Sequence, residues 1–164
     1  MTIATVAGVL AGCAAGPTRP EGGAVALTGK GYRVVAPPGW VPVEGKADVA
    51  LRHPAHQAGL MAHATCEGKA PRRTLPVLAR HLRFGLRDVR DLDEAAVQVA
   101  GQPGVRSRFT ARLDGVPVAV GAVTLQARGC VYDLVVVAPP DQLAAVAEDF
   151  ERFAASFALT ESRP

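Results

Sequence analysis

The four histidines are the side chains of this 164-residue chain best suited to bind a metal or to act as acids and bases. The sequence HPAH places His53 and His56 three residues apart around a turn, and His63 follows on the next predicted strand. A zinc site needs three or four convergent ligands, and no carboxylate or second cysteine is spaced to complete this group. We interpret these histidines and His81 as solvated or hydrogen-bonded, and we predict neither a metal site nor a cofactor.

Nucleophilic catalysis would need a nucleophile, a base and a group that orients the base. His63 and Cys66 are close in sequence, but three steps along a strand place their side chains on opposite faces. The chain has no Gly-x-Ser-x-Gly motif, and the sequence GKG at residues 29–31 lacks the other residues of a phosphate-binding loop. We therefore predict that the protein is not an enzyme. The alternative from another class is a thiol-redox protein or enzyme that uses Cys66 or Cys130.

The segment from Ile3 to Gly12 contains only apolar and small residues and ends at Cys13. A secretory signal has an apolar core of about 7–15 residues followed by small residues at the cleavage site. The sequence LAGC at residues 10–13 resembles the lipobox of bacterial lipoproteins. This resemblance implies that the signal is cut before Cys13, that its sulfur carries a diacylglyceryl group, and that its new amine is acylated, with palmitate as the expected acyl group.

Several acyl chains on one residue would anchor the protein durably, whereas a single chain anchors only marginally. The residues after Cys13, AAGPTRPEGG, have the composition of a flexible tether. Ala14 is not the aspartate that commonly signals inner-membrane retention, so we expect an outer-membrane location if the cell has two membranes. The alternative is that this segment forms an amino-terminal strand or buried helix in which the cysteine is incidental.

Cys66 and Cys130 remain as a pair once Cys13 is lipidated, and an even remainder in an exported chain indicates a disulfide. Cys66 ends one predicted strand and Cys130 begins another, so the two could meet at one edge of a sheet. The alternative is two buried thiols.

The composition is that of a globular domain, with 49% hydrophobic and 20% charged residues. The net charge of +3 is too small to predict binding to nucleic acid. No apolar run reaches the roughly 18 residues that a membrane-spanning helix needs. A chain of this length favours one folded domain.

A basic ridge lies on the first predicted helix, which covers residues 73–89. One face of this helix is apolar and contains Leu75, Leu78, Ala79, Leu82, Leu86 and Val89. Arg80, Arg83 and Arg87 follow the same three- and four-residue spacing on the opposite face. A solvated surface is the ordinary interpretation. The alternative is contact with anionic lipid head groups or an acidic partner, in which each cation near a membrane surface contributes about 1 kcal/mol.

Short apolar runs bounded by turn residues predict a series of strands. These include Tyr32–Val35, Ala47–His53, Ala58–Cys66 and the apolar sequence CVYDLVVVA after Gly129. Asp114-Gly115 predicts a hairpin, because a type I′ turn needs positive φ at both central positions. The run after this turn is apolar on both faces, so we expect a central strand covered on both sides.

A terminal helix is predicted from Pro140 to Phe157, with Asp141 as its N-cap. Its apolar stripe contains three of the five phenylalanines, so we expect it to pack on the core. The stripe consists of Leu143, Val146, Ala147, Phe150, Phe153, Ala154 and Phe157.

The sequences YRVVAPPGW, GCVYDLVVVAPP and FERFAASF together resemble the PsbP-like sandwich that is shared with DcrB-like bacterial lipoproteins. The resemblance covers Tyr32 to Phe157 in element order. It implies an α/β (α+β) fold, with an antiparallel sheet flanked by helices, and a non-enzymatic role that assists larger complexes. Photosynthetic members support the oxygen-evolving complex, but the lipobox favours the bacterial lipoprotein branch.

We therefore predict a signal peptide at residues 1–12, a lipidated cysteine with a tether at 13–30, and a PsbP-like domain at 31–160. The expected function is that of an accessory or binding module in the cell envelope, facing the periplasm or the exterior. Its expected partners are the membrane, through the lipid anchor, and an envelope protein complex. Within the binding class, a carrier of a small apolar ligand is the alternative.

Overall fold

A computed structural model describes residues 25–66 and 73–161, which form ten strands, two α-helices and a 3₁₀ turn. The strands are β1 (Val25–Gly29), β2 (Tyr32–Ala36), β3 (Val41–Pro42), β4 (Val49–His53), β5 (Ala58–Cys66), β6 (Arg87–Val99), β7 (Gln102–Leu113), β8 (Val116–Ala127), β9 (Cys130–Ala138) and β10 (Ala158–Leu159). The helical segments are α1 (Leu75–Ala79), the 3₁₀ turn Arg80–Arg83 and α2 (Leu143–Ala155). Neither helix is long and apolar enough to cross a membrane.

Two antiparallel sheets organise these strands. The larger has seven strands in the order β3-β4-β5-β9-β8-β7-β6, and the smaller has three in the order β1-β2-β10. Every paired neighbour runs antiparallel, and β6, β7, β8 and β9 follow one another through short turns. The predicted α+β class with an antiparallel sheet is confirmed.

The two faces of the seven-stranded sheet are covered by different elements. Helix α2 and the smaller sheet cover one face, where Tyr32, Leu125 and Phe153 belong to a single buried cluster. The segment from α1 to the start of β6 covers the other face, where Leu82 and Leu86 pack on a cluster around Phe109. We call these the α2 face and the α1 face.

Strand β8 is the most buried element of the sheet. Its eight residues from Val118 to Leu125 are all buried, so the predicted two-sided coverage is confirmed. The hairpin before it is also confirmed, since φ is +50° at Asp114 and +84° at Gly115, as a type I′ turn requires.

The first predicted helix is wrong in its length. The helical conformation stops at Arg83, Gly85 takes a φ of +82°, and β6 begins at Arg87. A glycine in the left-handed conformation commonly ends a helix. Leu82 and Leu86 still reach the same apolar cluster, one from the 3₁₀ turn and the other from the loop before β6. The three- and four-residue spacing therefore reflects burial on one sheet face, and a single long helix is not needed to explain it.

Two other predicted boundaries differ from the structure. Helix α2 runs from Leu143 to Ala155, and Gln142 occupies its N-cap position in place of Asp141. Phe157 lies beyond the helix but is buried in the same cluster. Strand β1 lies within the segment predicted as tether and pairs with β2 along its full length, so the folded domain begins at or before Val25.

The predicted disulfide is confirmed. Cys66 and Cys130 are direct cross-strand neighbours on β5 and β9, and their Cα atoms lie 4.2 Å apart. The bond joins positions 64 residues apart in sequence at one end of the larger sheet, which we call the disulfide end.

Replacing both cysteines, as Cys66→Ala with Cys130→Ala, should lower the free energy of unfolding by about 4 kcal/mol, because the unfolded chain loses a long covalent loop. Urea denaturation of both proteins, with and without a reductant, measures this difference. The reductant should destabilise the wild-type protein and leave the double variant unchanged. The disulfide would be refuted if the urea midpoint of the wild-type protein did not change with the reductant and both of its thiols could be alkylated without it.

Candidate functional site

The predicted lipidation site, Cys13, lies outside the described residues, so the lipid anchor stays a prediction. The other predicted site residues fall in three places. Cys66 and Cys130 form the disulfide, Arg80 and Arg83 lie in the 3₁₀ turn, and Arg87 begins β6.

His53 and His56 lie together at the turn between β4 and β5. The rings of His53 and His56 lie 4.6 Å apart, and the edge of Trp40 contacts His53. His56 Nδ1 is 2.9 Å from Gln142 Oε1, next to the start of α2. Within residues 25–66 and 73–161, no three His, Cys, Asp or Glu side chains are arranged to hold a metal ion.

A polar row crosses β5, β9 and β8 on the α1 face. The strand register places His63 on β5 opposite Asp133 on β9, and Asp133 opposite Thr124 on β8. The buried Thr124 hydroxyl donates a hydrogen bond to Asp133 Oδ1 at 2.7 Å. We did not predict this row, because its members are far apart in sequence and only the strand register brings them together.

The order of this row differs from that of a Ser-His-Asp triad. The Thr124 hydroxyl donates directly to the carboxylate of Asp133, whereas in a triad the hydroxyl donates to a histidine that the carboxylate orients. His63 Nδ1 instead lies 3.6 Å from Asp48 Oδ2 on the other side. Within the row, Thr124 and Asp133 therefore partner each other, whereas the half-exposed His63 has no hydrogen-bond partner at Nδ1 among the described residues.

Asp133 carries the main electrostatic perturbation on this face. Burial raises the pKa of its carboxyl group, while the Thr124 hydrogen bond and the charges of His63 and His81 act in the opposite direction. Burial therefore has the larger influence, because it disfavours the ionised form of the carboxyl group.

Asp48 joins the two sheets at the disulfide end. Its carboxylate accepts a 2.7 Å hydrogen bond from the backbone N–H of Ala64 in the larger sheet. It also accepts a 3.4 Å hydrogen bond from the hydroxyl of Tyr32 in the smaller sheet, and it lies 3.7 Å from the Lys30 ammonium group. Burial, followed by the charge of Asp48, raises the pKa of Tyr32 above its usual range, so this hydroxyl stays protonated.

The predicted basic ridge does not form as one helix face. Arg83 pairs with Glu94 on β6, and its guanidinium carbon lies 6.0 Å from the ring centroid of Phe109. Arg83 thus attaches the 3₁₀ turn to the sheet. Arg80 and Arg87 are exposed and have no polar partner among the residues that the structure describes.

The turn before β6 and the β7–β8 hairpin both carry exposed apolar residues. Phe84, Val116 and Leu113 are 78%, 62% and 43% exposed, although they are large and apolar. Leu113 and Val116 close the β7–β8 hairpin, and Arg87 pairs across the strands with Arg112 at the same end. We call Arg87, Leu113 and Val116 the hairpin-end surface.

Sequence reasoning missed Phe84 because the predicted helix continued through it. Gly85 was the available signal, since a glycine after a helical run commonly marks its end. A helix ended there would have placed Phe84 at the tip of a turn, between Arg80 and Arg87 in the sequence.

An open cleft with a volume of about 220 Å³ also lies at this end of the sheet. Its lining includes Arg90, Thr110, Arg112, Pro117 and Pro140. Arg112 is held by Asp88, 3.5 Å away, and by a hydrogen bond to the carbonyl oxygen of Gly115.

Comparison with known proteins identifies the fold. No protein-family model and no curated protein matches the sequence. The solved structure of the PsbP protein CyanoP from the cyanobacterium Synechocystis matches with a TM-score of 0.59 and 19% identity, covering 89% of this chain and 99% of that one. LpqN, which is involved in cell envelope biogenesis of Mycobacterium tuberculosis, matches with a TM-score of 0.58 and 13% identity. The match covers 79% of this chain and 83% of LpqN.

PA94 from Pseudomonas aeruginosa, a protein of unknown function, matches with a TM-score of 0.52 and 15% identity, over 87% of this chain and 99% of its own. Identities this low establish the fold alone. The predicted PsbP-like sandwich is confirmed.

Replacing Asp133 with asparagine should stabilise the protein at neutral pH. The raised pKa means that the folded state binds the Asp133 proton more tightly than the unfolded chain does. The protonated carboxyl group therefore stabilises the fold below the ordinary pKa of Asp, and this stabilisation is lost as the pH rises through the raised pKa of the folded state. Asparagine stays neutral and still accepts the Thr124 hydrogen bond. Urea denaturation across acidic to neutral pH should show equal stabilities at the acidic end and a growing advantage for Asp133→Asn.

Asp91→Asn is the matched control, because Asp91 accepts a 2.8 Å hydrogen bond from Thr110 at an exposed position. This control should show no comparable advantage at neutral pH. An Asp133→Asn protein that is less stable than the wild type at neutral pH would contradict the prediction.

Proposed function

We propose that this PsbP-like domain is a lipid-anchored accessory module of the bacterial cell envelope that assists a larger complex and catalyses no reaction. The observation that carries the proposal is the fold shared with LpqN, a protein involved in cell envelope biogenesis. The LAGC sequence at residues 10–13 supports the lipid anchor. The module faces the periplasm or the exterior, at the outer membrane in a cell that has two membranes.

The partners of the polar side chains support a non-catalytic role. Asp133 accepts from Thr124, and Trp40 Nε1 donates to Asp149 at 2.9 Å. Arg106 and Arg108 both pair with Glu151 of α2. These groups hold elements of the fold together, and their geometry leaves none of them aligned as a nucleophile with a base.

The packing around α2 weighs against the apolar-ligand carrier. Val146, Phe150 and Phe153 of α2 are buried against the sheet. Gly121 lets Phe150 approach the sheet closely, since a β-carbon at Gly121 would lie 3.7 Å from that ring and 3.0 Å from Val136. The space between this helix and the sheet is therefore filled by the protein's own side chains.

The thiol-redox alternative depends on whether the disulfide is exchanged in the cell. Cys66 is exposed, so a small reductant could reach the bond. A redox role predicts a mixed population of bonded and free cysteines in native protein, whereas an accessory module needs the bond only for stability. Alkylation of the native protein separates these alternatives.

Lipidation of Cys13 is tested by mass spectrometry and fractionation of protein expressed in a bacterial host. The mature chain should begin at Cys13, carry the mass of a diacylglyceryl group and an acyl chain, and sediment with membranes. Cys13→Ala should abolish the mass increase and the cleavage. The double variant Cys66→Ala with Cys130→Ala is the matched control and should keep both. An unprocessed wild-type chain in the soluble fraction would refute the anchor.

The accessory role is tested by crosslinking the lipidated protein in intact cells and identifying what it captures. One defined envelope complex should be captured by the wild-type protein, because lipid anchoring raises the local concentration of partners. Its yield should fall sharply for Cys13→Ala and remain for the cysteine double variant. Capture of no complex above the background of an unrelated lipoprotein would overturn the accessory role.

A further inference from the structure

We propose that the second half of the β6 edge, residues 93–99, pairs with the same segment of a second copy of this chain, so that two domains share one continuous antiparallel sheet. The occupant of this edge is therefore the protein itself. The inference depends neither on the lipid anchor nor on the accessory role proposed above.

The outer edge of β6 is protected over only half of its length. The register shifts fall within residues 87–93, where Asp88 and Asp91 take positive φ values. Over residues 93–99 the register with β7 is continuous, and no strand among the described residues pairs with the outer side. Most side chains of this half are exposed. A regular edge strand with unpaired backbone groups is a template for another strand.

The β6–β7 hairpin determines which backbone groups face β7. Its two turn residues, Ala100 and Gly101, have φ values of +50° and +72°, as a type I′ turn requires. Val99 and Gln102 pair directly next to this turn and close it with their hydrogen bonds. Along an antiparallel ladder, pairs of this kind alternate with pairs that exchange no hydrogen bonds.

This alternation leaves the backbone groups of Glu94, Ala96 and Gln98 on the outer side of β6. Pro103 lies opposite Gln98 on β7, and proline has no N–H to donate, which fits a pair without hydrogen bonds. Each of the three outward residues therefore offers one donor and one acceptor to a further strand.

The segment is complementary to itself in an antiparallel register. With Ala96 on the two-fold axis, Glu94 of each copy lies opposite Gln98 of the other, and Ala95 lies opposite Val97. The Gln98 amide can donate to the Glu94 carboxylate, and no two like charges face each other. Within the regular segment, any other two-fold register pairs fewer residues.

The geometry of the whole sheet favours a closed dimer. The opposite edge strand, β3, has only two residues, so a second copy added at β6 leaves no long edge for a third. A two-fold contact in which one segment serves both partners is the commonest form of a homodimer. Because the contact is confined to one strand segment, it is smaller than a standard interface, and we expect a dimer that depends on protein concentration.

The register is tested by crosslinking the full chain in detergent solution with a short bismaleimide, which joins two free thiols. Ala96→Cys should crosslink to its own copy, because residue 96 lies on the two-fold axis. Leu92→Cys is the matched control, since Leu92 is 44% exposed on the same strand. In the proposed dimer its two copies lie about eight residues, or about 27 Å, apart along the strands. Crosslinking of the wild-type chain gives the background of the native cysteines.

The cross-strand pair is tested in the Ala96→Cys background. Gln98→Lys should raise the yield of crosslinked dimer at low concentration about fivefold, and Gln98→Glu should lower it about fivefold, because the dimer contains the pair with Glu94 twice. Gln57→Lys and Gln57→Glu make the same charge changes at an exposed turn outside β6 and should leave the yield unchanged. The rate of labelling by a monofunctional maleimide checks that the reactivity of the added thiol is the same in all variants.

Each contrary outcome points to a different occupant. Equal crosslinking of Ala96→Cys and Leu92→Cys would overturn the inference, because it indicates association without a register. A chain that stays monomeric at every concentration also overturns it. If the added thiol of monomeric Ala96→Cys is protected from maleimide, a segment of the same chain covers the edge instead. None of these results bears on the lipid anchor, which Cys13→Ala tests separately.

Discussion

The register of the three central strands β5, β9 and β8 is the constraint on which the rest of the structure depends. This register makes Cys66 and Cys130 direct neighbours, and it aligns His63, Asp133 and Thr124 in one row. A slip of one residue would turn every side chain of a strand to the opposite face. Leu134 and Val136 would then exchange places with Asp133 and Val135, so a carboxylate would enter the apolar cluster under α2.

Burial on both faces is what specifies this register so strongly. The α2 face is closed by aromatic contacts between the two sheets, with the Tyr32 ring 5.6 Å from Tyr132 and 5.5 Å from Phe157. The α1 face is closed by a short helical segment that Arg83 attaches to Glu94. The raised pKa of Asp133 is a consequence of this coverage, because its carboxyl group lies on a central strand and is buried.

The outer strand β6 is constrained in a different way. It pairs only with β7, and its exposed outer edge is interrupted by register shifts around Arg90. Asp88 and Asp91 take positive φ values of +51° and +53° at these irregularities. Bulges and charged side chains are features that keep an edge strand from pairing with another sheet. The same irregular part of β6 begins with Arg87, which pairs with Arg112 near the β7–β8 hairpin.

The parts of the fold that could be predicted are those encoded by local patterns. Ala58–Cys66 was predicted with its observed bounds because turn residues lie before it and its apolar residues alternate. The hairpin at Asp114-Gly115 follows from the backbone needs of two residues. The extent of α1 could not be predicted in this way, since Leu82 and Leu86 pack on one cluster from segments of different conformation.

The polar row and the partner of Arg83 were beyond prediction for another reason. Each depends on residues that only the strand register brings together, and neither Thr124 nor Glu94 has a sequence neighbour that reveals its role. A family resemblance based on packing motifs could therefore predict the sheet and its covering helices while leaving the chemistry of the α1 face unspecified.

The two ends of the larger sheet differ in the interactions that hold them together. Strand β8 has twelve residues and so spans about 40 Å. The disulfide end therefore lies about one strand length from the β7–β8 hairpin. There Asp48, the disulfide and the hydrogen bond from Arg128 to the carbonyl oxygen of Thr160 tie the strand ends and the carboxyl-terminal segment together. The disulfide end is therefore cross-linked by a covalent bond and by hydrogen bonds, whereas the hairpin end exposes the apolar side chains of Leu113 and Val116.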